Sequence, residues 1–332
     1  MINQIDLILA YYKFIRGKRK KKDIQEFMLD VEYELVELFK NIFRKNYHHG
    51  KYEHFKIFDP KQREIDKAAV KDRVVHQLIY DYLVKIYDKK FYFHSYAARK
   101  GKGTHRAINI LYKMIVSDSL SFRRNIFIAK CDIEKFFANI DKEILLELIQ
   151  REIIDQDYLY LIEETIDSFK YNFPGIPLGN LTSQVFANIY LNELDRFIKH
   201  DLKLRHYIRY MDDFIIIEKN TSELLKTIFK IENFLKHKLH IGLHVDKIII
   251  RKLSWGVDFL GYVQLPQWRI LRTATKKRIF KKIKLKIKKL KNSEIDKNSF
   301  NQAIQSYFGV LKHCSSFKLK QEILNLIKSE LN

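Results

Sequence analysis

Apolar and polar positions along this chain follow two periods, and the places where one gives way to the other mark out its elements. Ile24, Phe27, Met28, Val31, Leu35, Leu38 and Phe39 recur at helical spacing, so residues 1 to about 50 are expected to be helical. From Phe55 to Ile65, around Asp59-Pro60, the pattern is strand-like; from Arg73 to about Tyr87 it is helical again, with Val74, Leu78, Tyr82 and Ile86 on one face. Ile126 to Ile133 reads as a buried strand ending at Asp132, and residues 143 to about 170 as two helices. Gly175-Ile176-Pro177-Leu178-Gly179 predicts a turn, and Asn180 onward a long helix carrying Val185, Phe186, Ile189, Leu194 and Phe197. His206 to Tyr210 and Phe214 to Glu218 are rich in aromatic and β-branched residues, which predicts a hairpin with Met211 and Asp212 at its turn. A helix from about 222 to 240, a strand at Lys247 to Arg251 and a second hairpin around Phe259-Leu260-Gly261-Tyr262 follow. That order of elements predicts an α+β fold, a small sheet with helices on one face.

The C-terminal segment has a different character. Lys276 to Lys291 holds ten cations in sixteen positions and no acid, while Ile279, Ile283, Ile287 and Leu290 form an apolar stripe. A helix with one apolar and one cationic face suits a membrane surface or a nucleic-acid backbone. The whole chain leans the same way: 332 residues with 62 Lys and Arg against 40 Asp and Glu give a formal charge of +22, a surplus that fits a phosphate-bearing partner. Arg16-Gly17-Lys18-Arg19-Lys20-Lys21-Lys22 concentrates six cations beside an apolar helix, a solvated run that also suits RNA contact. No apolar run reaches membrane-span length, and Asp6 and Lys13 interrupt the stretch a signal peptide would need, so a cytoplasmic protein with no membrane partner is expected. With 46% hydrophobic residues the chain can bury a sizeable core, and its length favours two or three subdomains. The two cysteines, Cys131 and Cys314, rule out a disulfide framework or a cysteine-based zinc site. His237, His240 and His244 loosely suggest a ligand face, but Gly242 interrupts it and surface histidines are favoured.

Candidate chemistry starts at Tyr210-Met211-Asp212-Asp213. Asp is common at turns, where it caps its own backbone, so two acids there are informative only with a partner elsewhere. Asp132, 80 residues earlier at a strand end, is that partner if the two strands are neighbours in one sheet. Phosphoryl transfer from a nucleoside triphosphate uses two divalent cations about 4 Å apart, one acting on the attacking hydroxyl and one on the leaving pyrophosphate. Asp132 and Asp212 are the natural ligands, with Asp213 assisting. The loop Ser95-Tyr96-Ala97-Ala98-Arg99-Lys100-Gly101-Lys102-Gly103-Thr104-His105-Arg106 lacks the spacing of a P-loop, yet its alternating Gly and Lys permit close approach to phosphates.

From about Phe55 to Leu319 the chain resembles the reverse transcriptases, with motifs in the same order. Lys61 and Arg63 resemble the fingers cations that hold the incoming triphosphate, and Asp72-Arg73-Val74-Val75-His76 resembles the next fingers motif. Asp132-Ile133-Glu134-Lys135-Phe136-Phe137 looks like the first catalytic palm motif, in which Asp132 and the Ile133 carbonyl bind metal and Phe137 excludes a 2′-hydroxyl. Tyr210 to Asp213 resembles the catalytic hairpin, Lys247 the lysine near the pyrophosphate, and Phe259, Leu260, Gly261 and Tyr262 the primer grip. The resemblance implies a right-hand polymerase fold. Its parts would be a basic helical extension at 1–54, fingers at 55–125, a palm at 126–265 with a helical insertion about 143–174, and a helical thumb at 266–332. Arg73, Leu178, Gly179 and Gln184 would join Lys61, Arg63 and Phe137 at the nucleotide; Lys100, Lys102, Arg106, Lys281, Lys284 and Lys288 would hold primer and template. Two Mg²⁺ ions, with Mn²⁺ as an alternative, deoxynucleoside triphosphates, template RNA and an RNA/DNA hybrid are the implied cofactor and partners.

Leu178-Gly179-Asn180-Leu181-Thr182-Ser183-Gln184 stands where most reverse transcriptases carry Gln-Gly followed by Ser-Pro, and this variant resembles the enzymes of diversity-generating retroelements. Ser95 to Arg106, Gly256 to Tyr262 and Leu311-Lys312-His313 are also similar to that lineage. It implies error-prone copying of a structured noncoding RNA into cDNA and a small, basic, helical, oligomeric accessory protein. Leu178 offers contact area where Gln would hydrogen-bond the nucleotide, so looser policing of base-pair geometry is expected, unless Leu178 merely packs against the following helix. Ala68-Ala69-Val70, Gln77 and Cys314 depart from the pattern, which keeps anti-phage defence enzymes with a dedicated noncoding RNA open as an alternative. Group II intron proteins fit less well, because no endonuclease segment or DNA-binding tail follows the thumb, and retron enzymes are disfavoured by Leu178 to Gln184. An RNA-binding scaffold on an inactive polymerase fold would not need the three acids and Phe137.

Overall fold

The computed structural model describes residues 2–59, 62–169 and 175–331. Three helices open the chain, α1 (Gln4–Ile15), α2 (Lys22–Leu29) and α3 (Val31–Phe43); the apolar periodicity from Ile24 to Phe39 is broken at Asp30. A hairpin of β1 (Glu53–Ile57) and β2 (Arg63–Lys67) follows, then α4 (Val70–Tyr87), α5 (Thr104–Asp118) and β3 (Phe127–Cys131). After β3 come the single turn α6 (Phe136–Asn139), α7 (Lys142–Gln150), α8 (Gln156–Asp167) and α9 (Leu181–Arg196), which runs on into a π-helical turn, Phe197–Asp201. The second half holds β4 (Tyr207–Tyr210), β5 (Asp213–Glu218), α10 (Thr221–Leu239), β6 (Ile249–Lys252), β7 (Val257–Phe259), β8 (Tyr262–Gln264), β9 (Arg269–Leu271), α11 (Thr273–Lys291), α12 (Lys297–Leu311) and α13 (Phe317–Leu331).

These elements form two compact units, each discontinuous in sequence. The first comprises residues 1–99, 132–204 and 227–244. Its core is helical: α4 packs against α1, α8 and α9, and α7 against α9. Val74, Val75, Ile79 and Leu83 of α4 and Val185, Phe186, Ile189 and Tyr190 of α9 are buried. Tyr190 also carries polar load, donating its hydroxyl to the Leu239 carbonyl at 2.5 Å, and burial pushes that hydroxyl's pKa upward.

The second unit comprises residues 100–131, 205–226 and 245–332. It contains a four-stranded antiparallel sheet in the order β4-β5-β3-β6 and a three-stranded sheet, β7-β8-β9. Ile128, Ala129, Cys131 and Phe214 to Ile217 are buried, in keeping with the apolar character of β5 and of β3, which Lys130 interrupts. In the C-terminal helices Ile279, Ile283 and Ile287 of α11 meet a core that includes Phe300, Ile304, Leu311 and Ile323. Each fully buried Ile stabilises this packing by about 1.5–3 kcal/mol.

Several expected boundaries are corrected. Lys247 lies on a 3₁₀ turn, Val245–Lys247, and not in a strand, because β6 begins its pairing with β3 only at Ile249, opposite Lys130. The loop from Ser95 ends at Gly103, whose φ of +106° admits the start of α5, so Thr104, His105 and Arg106 are its first turn. Neither α6, a single turn, nor the three-residue β9 is long enough to show a period, and both were missed.

Candidate functional site

Tyr210 pairs with Asp213, so Met211 and Asp212 make up the whole connection between β4 and β5. Met211 has φ +58°, a left-handed conformation that costs a side-chain-bearing residue about 1–2 kcal/mol. Its carbonyl accepts from Arg209 Nη1 at 3.1 Å, and Arg209 is the largest fully buried side chain among the described residues. A turn so short, anchored from beneath, fixes its acids with little freedom. Asp212 and Asp213 are both half-buried, and Asp213 Oδ1 lies 3.6 Å from Lys130 Nζ on β3. Beside the turn, the Tyr210 hydroxyl accepts from Thr104 Oγ1 at 3.3 Å.

β3 is the inner neighbour of β5, so the strand relation that the reading of the acids required is present. The register pairs Cys131 with Phe214. Asp132 follows Cys131 in the chain and belongs to the first unit, where its backbone is pinned: the His244 N–H donates to the Asp132 carbonyl at 2.8 Å, Ile133 bridges to Leu243, and the Glu134 N–H donates to the Gly242 carbonyl at 2.9 Å. Asp132 is half-buried and Ile133 buried. Phe137, on α6, is half-buried beside the buried Phe136. Its carbonyl accepts from the Ile176 N–H at 2.9 Å, and a Cβ at Gly175 would come within 2.0 Å of that oxygen, so only glycine permits this approach.

The Leu178 to Gln184 segment is tied to the β1-β2 hairpin. The Asp66 N–H donates to the Leu178 carbonyl and Asn180 Nδ2 donates to the Asp66 carbonyl, each at 3.1 Å. Gly179 has φ +116° and would place a Cβ 2.7 Å from Ile65 Cγ2. Leu178 is half-buried and Gln184 exposed at the start of α9. Arg63 is exposed on β2, opposite Ile57; Lys61 lies outside the described residues. Arg73 is held from the N-terminal helices, with Nη2 2.5 Å from Asp23 Oδ2 and its guanidinium over the Phe14 ring. Burial pushes the Asp23 carboxyl up, but hydrogen bonds from Arg73 and Lys67 outweigh it and leave its pKa below the usual value.

In the second unit Lys100 and Lys102 sit in a loop whose Gly101 and Gly103 have positive φ and open space around them, and Arg106 closes it by donating to the Gly101 carbonyl at 2.7 Å. Phe259 pairs with Tyr262 across a two-residue turn in which Leu260 and Gly261 both have positive φ, the geometry that matches strand twist. The Phe259 ring is buried, so its part is to hold this turn. The Tyr262 hydroxyl donates to the Val310 carbonyl at 3.0 Å, and burial pushes its pKa up to about 12. His105 lies 3.3 Å from that hydroxyl and stacks on His313 at 3.7 Å, while Arg269 bonds Gln264, Asn109 and the carbonyls of Ile108 and His313. Sequence reasoning missed Arg209, Lys130 and Arg269; a cation inside an otherwise apolar or short strand was the available signal. Lys281, Lys284 and Lys288 are exposed on α11, while Ile279, Ile283 and Ile287 of the same helix are buried.

Among the described residues no three His, Cys, Asp or Glu side chains form a ready-made metal-binding group. The donor set at the hairpin nonetheless suits Mg²⁺, which takes hard oxygen ligands and is commonly held by one or two carboxylates together with substrate phosphates. No helix among the described residues is long and apolar enough to cross a membrane.

Comparison with known proteins places this arrangement. Residues 57–264 match the family model "Reverse transcriptase (RNA-dependent DNA polymerase)". The chain is similar to Protein YkfC of Escherichia coli K12, at 24% identity over 242 residues, 61% of this chain and 63% of that protein. It is also similar to the group II intron-encoded protein LtrA of Lactococcus lactis subsp. cremoris, at 24% identity over 287 residues, 66% of this chain and 46% of that protein. It thus spans under two thirds of the length of these relatives. Among solved structures, apo telomerase from Candida tropicalis aligns with TM-score 0.48 and 15% identity, covering 68% of this chain and 57% of that one. A likeness to a group II intron protein is therefore present, although the sequence reading ranked that class lower. The family match runs from the last residue of β1 through β2, β3 with the Asp132 that follows it, the β4-β5 hairpin and β7-β8, in a mixed α+β chain of right-hand polymerase class, and the chain belongs to the reverse transcriptase family.

Proposed function

We propose that this chain is an RNA-directed DNA polymerase that copies a structured template RNA into cDNA. The observation that carries the reading is the β4-β5 hairpin: its two-residue connection carries Asp212, its second strand opens on Asp213, and β5 lies beside β3, which ends at Cys131 opposite Phe214. Asp212 and Asp213 would hold Mg²⁺ there, with Asp132 as the further carboxylate that the order of motifs supplies. Two bound Mg²⁺ ions supply activation of a primer 3′-hydroxyl and neutralisation of pyrophosphate. Phe137 would fill the space a 2′-hydroxyl needs and so select deoxynucleotides, while Arg63 and Lys247 would meet the triphosphate. The exposed lysines of α11 would grip the hybrid duplex.

Primer extension on an RNA template with Mg²⁺ tests this reading. Wild type is expected to extend, and Asp212→Asn to lose several kcal/mol of charge stabilisation, on the order of a thousandfold in rate. Empty lanes for both proteins with RNA binding intact would point to the scaffold reading.

The Leu178 to Gln184 segment favours a diversity-generating retroelement, with its accessory protein; the defence enzyme with a dedicated noncoding RNA is the second reading. Repeats differing at adenines in the neighbouring DNA would support the first, and a noncoding RNA gene without such repeats the second.

A further inference from the structure

Inside the first unit, five polar side chains from three stretches of sequence are joined below the surface. Asp72, on α4, is fully buried and accepts from the Tyr47 hydroxyl at 2.8 Å and the Gly50 N–H at 3.1 Å. The approach of Gly50 is tight enough that a Cβ there would lie 2.8 Å from Asp72 Oδ2. Next along, His49 Nδ1 is 2.7 Å from the Gly50 carbonyl, and His49 Nε2 is 3.0 Å from His76 Nε2. His76 Nδ1 is in turn 3.3 Å from Thr182 Oγ1 on α9. The His49 and His76 side chains and Thr182 are each about 1% exposed.

Elementary hydrogen-bond chemistry gives this chain one direction. A carbonyl only accepts, so His49 Nδ1 carries a proton and, in the neutral ring, Nε2 accepts. His76 Nε2 must then donate, which leaves His76 Nδ1 as acceptor for the Thr182 hydroxyl. Both tautomers and the hydroxyl rotor are fixed by a carbonyl three bonds away. Thr182 lies within the Leu178 to Gln184 segment, whose other end is clipped to β2 through Asp66.

We propose that His76, with His49 and Asp72 behind it, is a positioning residue that sets the nucleotide-facing segment Leu178–Gln184 through the Thr182 hydroxyl. The inference rests on the polymerase reading above. Held from α4 on one side and β2 on the other, the segment presents Leu178 and Gln184 at one fixed height. Losing the bond lets it move and weakens contact with the incoming nucleotide. The isosteric Thr182→Val removes the hydroxyl donor, so it is expected to raise KM for dNTP about three- to tenfold, a larger factor than any fall in kcat, and to change the misincorporation frequency. Thr182→Ser keeps the hydroxyl and should restore both values. Combining Thr182→Val with His76→Ala should raise KM no further than the larger single effect, since both act through one bond.

Steady-state extension with a titrated dNTP, run beside thermal melts, decides the matter. A Thr182→Val enzyme with a lower melting temperature but wild-type KM and error frequency would overturn the inference and leave a structural role; so would an effect that Thr182→Ser fails to rescue. If His76→Ala does not fold, the Thr182 pair still gives the answer. Absence of extension by wild type would instead overturn the polymerase reading and this inference with it.

Discussion

Met211 shows how much one position can be asked to do: its left-handed backbone makes a two-residue connection out of Met211 and Asp212, and Arg209 holds it there. Leu178 is a second such position. Leu178→Gln adds a hydrogen-bonding group at the proposed nucleotide contact, and the error spectrum on an RNA template is expected to shift toward fewer misincorporations; an unchanged spectrum would assign Leu178 to packing alone. His76 gives a pH dependence. Burial, then the neighbouring His49 and Arg73, lowers its pKa from the usual 6.5 to about 3. The unfolded chain therefore binds a proton there that the folded chain does not across that window, so stability is full above about pH 6.5 and falls as pH drops toward 3. Melting temperatures measured through the window should fall less steeply with acid in His76→Gln than in wild type.

At the scale of elements, short pieces carry the proposed site, and glycines decide where they can lie. Gly175 lets the chain pass against the backbone of α6, with Phe137 and Ala138 as its nearest neighbours. Gly175→Ala must push that turn aside, at a cost of about 1–3 kcal/mol. Since Phe137 moves with it, discrimination between dNTP and NTP is expected to weaken along with the melting temperature; selectivity held at wild type would separate Phe137 from sugar choice. The β1-β2 hairpin is exposed along most of its length yet clips the Leu178 segment through Asp66, so it is expected to act on nucleotide binding without entering the core.

At the scale of the whole molecule the surplus of +22 dominates. Each phosphate neutralised on a duplex steepens the dependence of log affinity on log salt by about 0.9. Replacing Lys281, Lys284 and Lys288 together by Gln should reduce the slope for an RNA/DNA hybrid by about 2 to 3, measured by anisotropy at several salt concentrations, while the melting temperature changes little. An unchanged slope would remove α11 from the duplex interface.

Most helices, both hairpins and the acidic turn were legible in the sequence because apolar periodicity and turn chemistry are local properties, written within a few residues of one another. The family motifs were legible for the same reason. Lys247 was misplaced, and α6 and β9 were missed, because three or four residues hold no period and strand ends are set by the partner strand. That β3 lies beside β5, in the register Cys131 to Phe214, could not be read from residues 83 positions apart. Nor could the run from Asp72 through His49 and His76 to Thr182, whose members look like unrelated polar residues until packing excludes water and leaves them only one another as partners. The sequence by itself determined which side chains could do the chemistry; only the tertiary structure decided which of them are neighbours, since hydrogen-bond pairing between distant segments is fixed by the fold.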